Sequence, residues 1–106
     1  MRPQRIPENT TFDREVTFID ANGDKRAPVS ARYRVDCLTT DVVVRDWTSI
    51  DPAVVVTLTF NQVDNEIQGY QDWEKKQCVV EATDINGNTL VNDFTWIVRN
   101  LQGVGQ

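Results

Sequence analysis

Residues 28–38 carry the clearest alternation in the chain. Val29, Ala31, Tyr33, Val35 and Cys37 alternate with Ser30, Arg32, Arg34 and Asp36. A period of two sends these sets to opposite faces of a β-strand. The second set is polar throughout, so the pattern predicts one dry face and one wet face, as in an antiparallel sheet or sandwich.

The rest of the chain reads as partners for this strand. Residues 11–20 form a first strand with Phe12, Arg14, Val16 and Phe18 on one face. The Asn22-Gly23 pair that follows suits a type I′ hairpin, which predicts that the first two strands are antiparallel neighbours. Residues 42–48 form a third strand, with Val43, Arg45 and Trp47 on one side and Val42, Val44 and Asp46 on the other. Asp51-Pro52 marks a turn before the most apolar strand, residues 53–60, where Val54, Val56, Leu58 and Phe60 align. Residues 61–72 lack a period and predict a loop with a helical turn near Asp64–Ile67. Val63, Ile67 and Tyr70 are placed to plug one end of the core. A strand starts near Lys76 with Cys78, Val80 and Ala82 on one face. A second Asn-Gly turn, Asn86-Gly87, leads to a last strand aligning Leu90, Phe94, Trp96 and Val98.

About seven short strands with turns every ten residues or so predict an all-β fold, an immunoglobulin-like or fibronectin-like antiparallel β-sandwich. A small barrel is the competing architecture. Residues 1–11, with Pro3 and Pro7, predict an extended, irregular N-terminal arm. The sandwich is expected over residues 12–100 and a fraying polar tail over 101–106. At 106 residues the chain makes a single domain. No apolar run approaches the roughly 18 residues that span a membrane, and no secretory leader is expected.

Charge changes the picture more than composition does. Residues 1–34 hold seven Arg or Lys against five Asp or Glu, whereas residues 35–106 hold four against eleven. An acidic body argues against nucleic acid as a partner. A basic end on an acidic body can favour head-to-tail contact between copies, or an arm lying on a larger acidic surface, but a solvated surface with unevenly drawn charges is the preferred reading. In the arm, Arg2, Pro3, Arg5, Ile6 and Pro7 are the candidate partner-binding residues.

Other chemistry is sparse. With no histidine, the commonest general base and metal ligand are missing. Cys37, Trp47 and Cys78 follow the order of an antibody-like disulfide with its packed Trp, but two reduced core thiols are the preferred reading. Asp20-Ala21-Asn22-Gly23-Asp24 and Asp84-Ile85-Asn86-Gly87-Asn88 resemble the start of a calcium loop, yet their glycine spacing fits hairpin turns. Asp64, Glu66, Asp72 and Glu74 cluster in sequence and are read as a solvated loop. Trp47 and Trp96 are expected in the core. Tyr70 and Trp73 are the candidate exposed aromatic contact. No catalytic, cofactor-binding or metal-binding residue is assigned, and no enzyme is expected.

Residues 31–40 (Ala-Arg-Tyr-Arg-Val-Asp-Cys-Leu-Thr-Thr) followed by residues 44–48 (Val-Arg-Asp-Trp-Thr) resemble short Ig-like proteins encoded among the virion genes of tailed bacteriophages. Pro52-Ala53, Asp64-Asn65 with Ile67, residues 74–77 (Glu-Lys-Lys-Gln) and residues 96–100 (Trp-Ile-Val-Arg-Asn) fit the same pattern, and the likeness spans residues 12–100. The resemblance implies a virion structural protein, made in the bacterial host cytoplasm, without specifying which part of the virion; the first reading is a capsid-associated decoration or minor head protein. Its partners would be the major capsid protein, other virion proteins or copies of itself, with neither nucleic acid nor membrane. A neck or tail ring component, or a carbohydrate or host-adhesion module, are the alternatives.

Overall fold

The computed structural model describes residues 4–69 and 72–101, and no helix occurs among them. Seven strands run in chain order: β1 Gln4–Pro7, β2 Phe12–Thr17, β3 Ser30–Cys37, β4 Val42–Ile50, β5 Val55–Phe60, β6 Trp73–Thr83 and β7 Thr89–Arg99. They form a five-stranded sheet in the order β1-β7-β6-β3-β4 and a two-stranded sheet of β2 and β5. The layering is that of a β-sandwich.

Alternation explains the faces. On β3, Ala31, Tyr33, Val35 and Cys37 are buried while Ser30 and Arg32 face water. On β6 the buried set is Glu74, Lys76, Cys78, Val80 and Ala82, strictly every second residue. The core centres on Phe60, whose ring lies 4.9 Å from Trp96, 5.1 Å from Phe12, 5.7 Å from Phe94 and 6.3 Å from Tyr33. The contacts to Trp96, Phe94 and Tyr33 join the two sheets, and fully burying an aromatic of this kind stabilises the fold by about 1.5–3 kcal/mol.

Three expectations change. First, β2 and β3 are not neighbours. β2 pairs antiparallel with β5, from Phe12 opposite Phe60 to Thr17 opposite Val55, and β3 lies between β4 and β6. The first Asn-Gly turn closes only an isolated bridge from Ile19 to Lys25. Val29 N then donates to Thr83 O, carrying the chain to the other sheet. Burying Phe12 and Val16 against β5 outweighs the local turn preference.

Second, neither Asn-Gly turn is type I′, which needs two positive φ angles. Only the glycines adopt them, Gly23 at 87° and Gly87 at 84°. Gly23 N donates to Asp20 O and Gly87 N to Asp84 O, each at 3.0 Å. Asp20 Oδ1 accepts from Asn22 N and Asp24 N, and Asp84 Oδ1 from Asn86 N and Asn88 N. The aspartates therefore shape both turns.

Third, part of the expected N-terminal arm is a strand. β1 pairs in parallel with the end of β7, Gln4 opposite Trp96 through Pro7 opposite Arg99, and Ile6 is 5% exposed within the core. Proline and a lack of period hid a strand too short to show alternation.

Candidate functional site

The loop between β5 and β6 holds the densest polar chemistry. Asn61 Oδ1 accepts from Val63 N and Asp64 N, turning the chain inward. Asp64 then accepts from Asn61 N at 2.8 Å and takes a two-pronged contact from Arg45 at 2.9 Å on each oxygen. The Arg45 guanidinium is held above its usual value chiefly by that contact. Asn65 Oδ1 accepts from Trp96 Nε1 at 2.7 Å, and its Nδ2 donates to Thr10 O at 2.6 Å. One side chain thus ties the loop to β7 and to the segment between β1 and β2.

Glu74 and Lys76 complete the hub, and both side chains are fully buried. Glu74 accepts from Gln68 N at 2.7 Å and Gly69 N at 2.6 Å, and Cys37 Sγ lies 3.4 Å from its Oε1. Lys76 Nζ donates to Glu66 O at 2.7 Å and meets Glu74 Oε1 at 3.3 Å. Burial is the largest single influence on Glu74 and pushes its pKa up. The two N–H groups and Lys76 together outweigh it, so the carboxyl sits below its ordinary value.

The four carboxylates are therefore not one solvated group. Asp64 and Glu74 are buried and individually paired, whereas Glu66 and Asp72 are exposed. No reactive pair results, because each buried carboxylate has its own cation and backbone donors. The expected helical turn is replaced by two short turns, with Asn65 N donating to Gln62 O and Glu66 N to Val63 O. Ile67 packs on the core but Val63 is 57% exposed. The burial of Lys76 was legible only as the continued period of Cys78, Val80 and Ala82. Its charge argued the other way.

Among the arm residues, Arg5 is exposed, Pro7 is half-buried and Ile6 belongs to the chain's own core. Arg2, Pro3 and Tyr70 lie outside the described residues. Trp73 is the first residue of β6 and is 52% exposed. Trp96 is buried, as expected, but Trp47 is not in the core. Register shifts between β3 and β4 separate the faces of Arg45 and Trp47. Arg45 reaches Asp64, while Trp47 lies on the outer face of the five-stranded sheet with Arg32 4.1 Å and Arg34 5.9 Å from its ring. Arg32 pairs with Glu81 at 2.9 Å and Arg34 with Asp36 at 2.8 Å. The result is a solvent-facing patch in which Arg32 and Arg34 flank a half-buried indole, a surface suited to a macromolecular contact.

Cys37 and Cys78 are free, buried and on neighbouring strands of one sheet, so no antibody-like bridge between sheets forms. Burial raises the Cys78 thiol to about 12. Ala21 N donates to Asp84 Oδ2 at 3.3 Å, bringing the two Asn-Gly turns together at one end. Among the described residues, no group of three or more His, Cys, Asp or Glu is placed to hold a metal ion.

These features define a two-sheet, all-β domain whose polar chemistry is divided between an internal structural hub and an outer patch. Compared with protein-family models, curated proteins and solved structures, the chain matches none.

Proposed function

We propose that this chain is a structural protein of a tailed-bacteriophage virion, an Ig-like capsid-associated decoration or minor head protein that binds the shell through its surface. The observation that carries this reading is where the residues of the resemblance lie. Arg32, Arg34 and Asp36 on β3 and Trp47 on β4 share the uncovered face, and Arg5, opposite Ile97 and one residue from buried Ile6, points the same way. Arg32 is held by Glu81 and the Trp47 ring and Arg34 by Asp36, so docking these side chains costs little entropy. Repetition over a symmetric particle would multiply a modest single contact.

The test is co-sedimentation with empty capsids. Wild-type protein is expected to pellet with particles, and Trp47→Ala and Arg5→Glu to remain in the supernatant with unchanged melting curves. Equal pelleting of wild type and variants overturns the assignment of this face. Deleting residues 1–10 is a poorer test, because it removes Ile6 from the core and the Thr10 carbonyl from Asn65. Copy number in purified particles separates a shell protein from a neck or tail ring. Exposed Trp73 favours a second reading, a carbohydrate or host-adhesion module. Glycan-array binding that disappears in Trp73→Ala would support it.

A further inference from the structure

We propose that residues 89–95 of β7, with the groove separating them from β2, receive an extended segment of a partner protein in which basic and apolar residues alternate, added as a further strand. This goes beyond the virion reading and stands without it.

Among the described residues, β7 is paired on this edge only at its end. β7 pairs with β6 along its whole length, but β1 covers only Trp96–Arg99. Glu8 N donates to Arg99 O, so odd-numbered positions of β7 turn their N–H and C=O toward the β1 side. Asn100 N donates instead to Asp72 O, on the β6 side. The period of two then aims the N–H and C=O of Val91 and Asp93 into the open edge. Among the described residues nothing pairs with them. An extended main chain can pair with the whole of such a row in place of water.

Side chains in the groove specify the occupant. Its walls are Val16, Phe18, Ile19, Val80, Ala82 and Leu90, and Ile19 and Val91 are 50% and 63% exposed. Glu15 and Asp93 stand on the rim, and neither has an ion pair among the described residues, although Asp93 Oδ2 accepts from Gln77 Nε2 at 2.7 Å. The nearby cation, Arg14, is committed to the Phe94 ring at 4.3 Å. The groove therefore asks for apolar side chains facing in and positive ones at the rim. The same edge already holds one segment of this chemistry: in β1, Ile6 is buried and Arg5 faces out. The new segment would extend that row.

The probe is a blocked seven-residue peptide alternating lysine and valine, added to isotope-labelled full-length protein. With peptide at about 100 times its Kd, amide exchange at Val91 and Asp93 should slow about 100-fold, whereas Leu90 and Asn92, turned toward β6, should be protected already without peptide. A glutamate–valine peptide should bind at least about tenfold more weakly, and Asp93→Lys should reduce that preference. Unchanged exchange at Val91 and Asp93, or equal binding of both peptides, overturns the proposal. Protection without peptide would mean that the chain's own leading residues fill the edge. Protection that grows with protein concentration would mean that a second copy does. Either result also overturns it.

Discussion

Replacing Lys76 with methionine tests the buried hub directly. Methionine keeps most of the apolar stem and removes the ammonium. The variant loses the 2.7 Å contact with Glu66 O and the 3.3 Å contact with Glu74 Oε1. Glu74 remains fully buried, with only the N–H groups of Gln68 and Gly69 and the Cys37 thiol around its charge. Removing one partner of a buried ion pair costs about 3–5 kcal/mol, because the other charge is left uncompensated. In a domain of this size each kcal/mol moves Tm by about 4–8 °C, so Lys76→Met should melt at least about 12 °C lower. Urea unfolding followed by tryptophan fluorescence gives the free energy. The double variant Lys76→Met/Glu74→Gln should be destabilised by less than the two single variants together, by about 0.5–3 kcal/mol. A loss below about 1 kcal/mol in Lys76→Met, or simple additivity, would show that the pair does not hold the loop.

Glu74 also predicts a pH dependence. Its folded pKa is depressed below the ordinary 4.5, so its stabilisation is present above that value and is lost as pH falls through the folded value. Asp84, depressed below 3.8, acts in the same direction. Urea midpoints should fall on acidification, less steeply in Glu74→Gln, and an unchanged slope would contradict the assignment. Gly87→Ala should cost about 1–2 kcal/mol in thermal unfolding, purely from backbone strain at φ 84°, since a Cβ there meets nothing within 4 Å. Native protein at pH 8 should react with a thiol dye at neither Cys37 nor Cys78, and both should react in denaturant.

Much of the fold was legible because a strand with one buried face writes a period of two into its sequence. β3, β6 and β7 show this plainly, and Phe60 and Trp96 stood on predicted core faces. The positions of the turns at Asn22-Gly23 and Asn86-Gly87 were legible as well, but not their type, and the first does not pair β2 with β3. The short β1 carried too few residues to display a period. The β-bulge between β3 and β4 sent Arg45 and Trp47 to different faces, which simple alternation cannot anticipate.

Local sequence determined most of the strands, the dry face of β3 and of the later part of β6, and where the chain reverses. Tertiary structure alone decided that β2 joins β5 rather than β3, that Glu74 and Lys76 go inside together, and that β1 lies in parallel along the end of β7. The physical reason is range. Alternation and turn preference act between near neighbours, whereas strand pairing and the compensation of one buried charge by another depend on residues that meet only when the chain closes on itself.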